Sequence, residues 1–180
     1  VGWVMKLAPL GIFALLAKLM ATEDISVLSR LAEFAAVVTG TTIFHGAVVL
    51  PLLLWIFGRM SPWTFFKGTR TALITAFATS SSSATMPLSM KCAQENLGVR
   101  PQTAGFVIPL GTQLNMDGTA LYEAAAALFV ANLVGLDLNL TQQIVVCLTA
   151  MIASLGAPGI PSAGMVTMIM VLQSVGLPAE

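Results

Sequence analysis

Charge is scarce in this chain. Only 8 Lys and Arg and 8 Asp and Glu occur in 180 residues, and the formal net charge is zero. Apolar residues make up 57%, with a mean hydropathy of +0.89. Such a composition cannot clothe a wet globular surface, which excludes a soluble domain and points to a bilayer. There is no basic excess, so a nucleic-acid partner is excluded as well. Cysteine is nearly absent: Cys92 and Cys147 lack metal-ligand spacing and read as small buried hydrophobes. Histidine occurs once, at His45. Nothing at helical spacing pairs with it, and it reads as a hydrogen-bonded packing residue. An initiator methionine and a charged leader are also lacking before the apolar run that opens at Val1. The chain is therefore expected to be part of a longer protein.

What is present centres on Asn115-Met116-Asp117-Gly118-Thr119, inside an apolar run from about Thr103 to Val134. A carboxylate in the middle of a membrane-spanning segment costs roughly 2.5–3.5 kcal/mol on insertion scales unless something compensates it. Asp117 therefore calls for a cation. Asn115 offers a second oxygen, and Gly118 weakens the helix so that carbonyls can turn to a ligand. One acid with neutral oxygens, and no nearby His or Cys, suits sodium better than zinc. The plainer alternative is an Asp hydrogen-bonded only to protein.

In chain order, Val1 to Met20 has the length of one membrane helix, with Lys6 and Lys18 placed to snorkel. Thr22-Glu23-Asp24 makes an acidic loop, and a second span runs from about Arg30 to Phe57, bent by Pro51. The connections Gly58 to Gly68 and Lys91 to Pro101 are basic, whereas those at Glu23-Asp24 and Asp137 are acidic. Positive loops favour the cytoplasmic side. Both basic loops share that side only if Thr69 to Met90 enters and leaves by one face. That stretch is expected to be re-entrant, with arms Thr69 to Thr79 and Thr85 to Gln94 around a polar tip, Ser80 to Ala84. Irregular backbone at membrane depth needs a protein or wet surround. The second arm's free N–H groups and positive dipole end, with serine hydroxyls, would receive a carboxylate. A serine-rich turn that merely caps a helix is the alternative.

A second tip, Ser154 to Ala163, is rich in glycine and proline and lies between short apolar arms, Thr141 to Ala153 and Gly164 to Val175. Thr75-Ala76, Ser80 and Pro87 recur as Thr149-Ala150, Ser154 and Pro161 at identical offsets. Matching interrupted segments point to a transporter built from inverted repeats whose tips meet near the midplane beside Asp117. The expected fold class is an all-α integral membrane protein with transmembrane helices, two re-entrant helical hairpins, a broken helix and an incomplete inverted repeat.

Ser80 to Pro87, the run PLGTQLNMDGTALYE from Pro109 to Glu123 and the run from Ala153 to Pro178 resemble the glutamate transporter family, the dicarboxylate/amino acid:cation symporters. The resemblance implies that residues 1–29 belong to a trimeric scaffold. It makes 30–180 part of a moving transport domain: the sixth helix, first hairpin, broken seventh helix and second hairpin. The eighth helix would be absent. By the same resemblance Ser81, Ser82 and Ser83 receive a substrate carboxylate, Thr119 adds a hydroxyl, and backbone around Ile160 and Gly164 closes the second hairpin. Sodium would lie at the carbonyls of Gly111 and Asn115. A second ion would lie at the carbonyls of Gln113, Ser154, Leu155 and Ala157, with the Met116 sulfur nearby. A third would use the side chains of Asn115 and Asp117. Gln113, Ala157 and Pro158 depart from the family's usual pattern.

Glu123 lies four residues after Thr119 on the same helix face, where it could take and release a proton. A glutamate at this place resembles the proton-coupled, potassium-antiporting branch. The duller reading is a glutamate hydrogen-bonded inside the bundle. The expected function is sodium-coupled, elevator-type symport of acidic amino acids or dicarboxylates across the plasma (inner) membrane by a homotrimer. No enzymatic cofactor is expected, and sodium, with proton and potassium, is cargo. A neutral amino acid substrate is the alternative within this class. From other classes, an intramembrane serine hydrolase lacks a nucleophile elbow and an acid partner for His45. A channel would conduct without concentrative uptake.

Overall fold

The computed structural model describes residues 9–14, 17–18, 25–174 and 176. The chain divides into two compact units, Val1–Val37 and Val38–Glu180. In the first, residues 9–14 and 17–18 are helical. The rest of the expected first helix and the Glu23-Asp24 loop lie outside the described residues. Among the described residues every regular element is a helix.

The second expected span starts earlier than Arg30. Helix α1 (Ile25–Phe44) runs into a π-helical segment, His45–Val49, and continues as α2 (Leu50–Gly58). Pro51 has no N–H to donate and its ring crowds the carbonyl four residues back. The chain answers with a widened turn, in which Leu50 N–H reaches five residues back to the His45 carbonyl. The expected bend is thus a π segment. Val27–Gly58 is long and apolar enough to cross a membrane, and no part of its most apolar stretch is buried.

Helix α3 (Pro62–Thr79) begins at a proline preorganised for a first turn, with Ser61 before it extended. It ends at Ser80, which takes a left-handed conformation (φ 48°) and donates its N–H to the Ala76 carbonyl at 2.9 Å. Ser81 then caps α4 (Ser82–Leu97), its hydroxyl oxygen accepting from Ala84 N–H at 3.2 Å. The turn is therefore only Ser80 and Ser81, because the Ser81 cap pulls the helix start forward into the serine run. Both arms are longer than expected: Pro62 starts one, and left-handed Gly98 (φ 68°) ends the other.

Helices α5 (Pro101–Leu114) and α6 (Asp117–Leu133) are separated by Asn115 and Met116, whose ψ of 66° and 53° leave the helical region. The break precedes Asp117, and Gly118 sits inside α6. The break therefore falls at Asn115 and Met116 rather than at Gly118. After a loop, Asn139 and Gln142 form a reciprocal capping box that starts α7 (Leu140–Gly156). Ser154 and Leu155 are still helical. The helix stops at Ala157, which is extended (ψ 129°) because Pro158 follows. The second turn is 157–162, and α8 (Ala163–Ser174) completes the fold.

α3 packs on α4, α4 on α5, and α6, α7 and α8 pack on one another. The core of this last group is largely alanine: Ala127, Ala131, Ala150 and Ala153 with Val146, Val171 and Leu172. Phe77, Phe57 and Trp63 are exposed instead. Cys92 is buried, but Cys147 is exposed on α7, contrary to the sequence expectation.

The two turns meet. The Gly159 carbonyl accepts the Ser81 hydroxyl at 2.8 Å and the Ser83 N–H at 3.1 Å. A Cβ on residue 159 would lie 2.6 Å from Ser83 Oγ and 3.2 Å from Ser83 N. Gly159→Ala is therefore expected to part the turns. Hydrogen exchange at the Ser83 amide of the full-length protein should quicken roughly three- to tenfold, the scale of one net hydrogen bond. Unchanged exchange there would mean that the contact does not hold the turns together.

Candidate functional site

A cleft of about 380 Å³ opens beside the meeting turns. Ser82 contributes from the start of α4, Met116 and Thr119 from the broken helix, and Ile160 and Gly164 from the second turn and α8. Of the residues expected to receive a carboxylate, four line this space: Ser82, Thr119, Ile160 and Gly164. Ser81 and Ser83 lie just beside it, engaged with the Gly159 carbonyl. Ser81 uses its hydroxyl in both directions, accepting from Ala84 N–H and donating to Gly159. Among the described residues no Lys or Arg lines the cleft. Negative charge there would be met by hydroxyls and the positive end of α4.

The residues expected to bind cations fall into two groups. Gly111, Gln113, Asn115, Met116 and Asp117 surround the break, while Ser154, Leu155 and Ala157 sit at the end of α7. The helices that carry them, α5 and α7, are in contact. The Gly111 carbonyl accepts Asn115 N–H at 2.9 Å, and the Ser154 carbonyl accepts Ala157 N–H at 3.2 Å. The Met116 carbonyl accepts from both Thr119 and Ala120, and its sulfur lies 3.9 Å from the Thr119 hydroxyl. Gln113, Asn115 and Leu155 are exposed, whereas Ser154 and Ala157 are buried. Among the described residues no group of three His, Cys, Asp or Glu could hold a metal ion.

Asp117 has a protein partner that the sequence reading missed. His45 Nε2 stands 3.2 Å from Asp117 Oδ2, across 72 positions of sequence. His45 is hydrogen-bonded, as expected, but to an acid on another helix, and it is the first residue of the π segment. Helical spacing could not have found this pair. The signal available was Pro51, which disturbs the helix at the turn where His45 lies.

Glu123 is fully buried. Its Oε1 accepts a hydrogen bond from the Thr167 hydroxyl, and its Oε2 has no partner among the described residues. The close packing around it depends on Gly164, where a Cβ would come within 3.1 Å of Thr119 Cγ2 and 3.8 Å of Glu123 Oε1. Thr167 and Gly159 were not singled out from sequence. The one hint for Thr167 was its place as the only hydroxyl between Gly164 and Gln173 in an apolar arm.

The serine donors lie in the first of the three runs on which the resemblance rested, the broken helix with Asp117 and the buried Glu123 in the second, and Gly159 and Thr167, which contact them, in the third. The profile of the sodium:dicarboxylate symporter family matches residues 1–180. Excitatory amino acid transporter 1 of Rattus norvegicus is 50% identical over 182 residues, covering 100% of this chain. The Homo sapiens protein of that name is 48% identical over the same length. Excitatory amino acid transporter 3 of Homo sapiens is 47% identical over 178 residues, covering 98% of this chain. The chain spans about a third of the length of these relatives, 34% in each case. They are named as transporters, not enzymes. With its whole length matched, the chain belongs to the sodium:dicarboxylate symporter family.

Proposed function

We propose that this chain forms the substrate- and ion-handling part of a sodium-coupled secondary active symporter for acidic amino acids or dicarboxylates. The observation that carries this reading is the Gly159 carbonyl oxygen held by the Ser81 hydroxyl and the Ser83 N–H. Those donors suit any sp² oxygen, and a substrate carboxylate offers two of them. Ser81, Ser82 and Ser83 would hold the carboxylate once it takes the place of the Gly159 carbonyl, Thr119 would add its hydroxyl, and the turn carrying Ile160 and Gly164 would close over it. The family's description and the relatives' names favour an acidic solute over a neutral amino acid.

In the same reading α3 with α4 and α7 with α8 are two re-entrant hairpins of an inverted repeat. Residues 1–29 serve as scaffold and 30–180 as part of a transport domain. That domain moves elevator-fashion in a homotrimer embedded in the lipid of the plasma (inner) membrane. Sodium would bind at the carbonyls of Gly111, Gln113, Asn115, Ser154, Leu155 and Ala157, near the Met116 sulfur, and at the side chains of Asn115 and Asp117. Asp117 attracts the cation, and neutral oxygens replace its water. Glu123 would carry a proton inward, with potassium returning; its carboxyl is fully buried and one of its oxygens has no partner among the described residues. The contact between His45 and Asp117 favours a second reading, in which Asp117 is satisfied by protein alone.

Reconstituted full-length protein separates these readings. Asp117→Asn should raise the sodium needed for half-maximal uptake of labelled aspartate by roughly tenfold or more, the scale of one charge-assisted contact. Uptake that follows the sodium gradient unchanged would leave the second reading standing. Glu123→Gln should flatten the pH dependence of uptake, and a pH profile identical to the parent's would remove Glu123 as proton carrier.

A further inference from the structure

Thr167 is the hydrogen-bond partner of Glu123 across the packed faces of α6 and α8, and both side chains are buried. Its hydroxyl oxygen also lies 3.3 Å from the Gly164 carbonyl and 3.5 Å from the Ala163 carbonyl in its own helix. A hydroxyl has one proton and two lone pairs, so it can donate to one of these three acceptors at a time and can accept as well. We infer that Thr167 is the positioning residue that passes the protonation of Glu123 to the first turn of α8. This rests on the proposed proton carriage by Glu123.

With Glu123 ionised, the Thr167 hydroxyl donates to Oε1. With a proton on Oε1, the carboxyl donates to the Thr167 oxygen, and the threonine proton turns to the Gly164 or Ala163 carbonyl. No covalent bond changes at Thr167; only the direction of its hydrogen bonds reverses. Because Oε2 has no partner among the described residues, α8 senses this carboxyl through one hydroxyl. Back-bonding of a threonine to the carbonyl three or four residues earlier slightly destabilises and bends a helix. Here the carbonyls concerned belong to Ala163 and Gly164, which line the cleft directly after left-handed Ser162 (φ 63°). The change therefore acts on the wall that closes over the substrate. Other ionisable groups on the packed elements are few. α7 carries Cys147, which is exposed, and α8 carries none. α6 itself also holds Asp117, in contact with His45, and Tyr122.

The test uses full-length protein in liposomes, with the half-saturating concentration of labelled aspartate measured across pH at saturating sodium. Thr167→Val, which keeps the shape and removes the hydroxyl, should lose the pH dependence of aspartate half-saturation. The variation across the range should fall below about threefold, within the scale of one weak hydrogen bond. Its half-saturating sodium should stay within about twofold of the parent's. Thr167→Ser should restore the parent's pH dependence, which a purely packing role for the methyl would not allow. If Glu123→Gln abolishes the pH dependence but Thr167→Val keeps it, the relay is wrong and proton carriage by Glu123 stands. If Glu123→Gln keeps it, the carrier reading falls and takes the relay with it. Failure of Thr167→Ser to restore what Thr167→Val loses also overturns the relay. Should the valine variant not fold, Thr167→Ala adds no bulk and is read in the same way. An infrared band of the Glu123 carboxyl that does not move between parent and hydroxyl-free variant would count against the relay whatever the uptake.

Discussion

A single carbonyl oxygen holding two donors from a distant turn is the contact on which the site depends. Every helix start leaves N–H groups without partners, and in apolar surroundings each unsatisfied group costs several kcal/mol. α4 starts among apolar helices, so its first turn must find acceptors locally. Ser81 supplies one to Ala84, and Gly159 supplies one to Ser83 while also accepting a hydrogen bond from the Ser81 hydroxyl. Satisfying those donors brings the turn after α3 to the turn after α7, and the cleft is the space left beside them. Gly159 is required there for room rather than for φ, since a side chain would meet Ser83.

Small residues make the rest of the site possible. Where the surroundings are as apolar as the side chains, helices gain little from hiding leucine and associate through close packing instead. The α6–α7–α8 group follows this rule, with alanines inside and Ile152, Val166 and Met170 outside. Close approach lets Gly164 rest against Thr119 and lets a side chain as short as threonine reach Glu123. A buried acid and a backbone-lined cleft are thus products of the same packing.

Much of this was legible in the sequence because the punctuation is local. Pro62, Pro101, Gly98 and Asn139 with Gln142 each set a helix end within a turn of themselves, although the expected arms began later, at Thr69 and Thr141, and ended earlier, at Gln94. The broken helix and the serine turn were readable for the same reason: polar residues in an apolar run have few places to go. Element ends were misjudged where one residue's cap outweighed the composition around it. Ser81 drew three residues of the supposed tip into α4, and Pro158 let α7 run on through Leu155. The pairs His45 with Asp117, Thr167 with Glu123 and Ser83 with Gly159 were not legible. They join residues 44 to 76 positions apart, and no periodicity along one helix encodes a contact between two.

The His45 pair nonetheless has a local cause. An α-helix turns about 100° per residue, so inserting one extra residue into a turn rotates everything before it onto a new face. Pro51 enforces that extra residue, and the widened turn begins at His45. The face on which an imidazole meets Asp117 is thus set by a proline six positions later, not by the apolar pattern of the helix. The choice of side chain matters as much as its aim. A lysine or arginine there would neutralise the acid outright and leave no charge for a cation. An imidazole meets the acid through a single ring nitrogen, 3.2 Å from Asp117 Oδ2. A carboxylate met at one oxygen by one nitrogen is held in position and keeps its other oxygen for a further contact, which is what the proposed cation site would require.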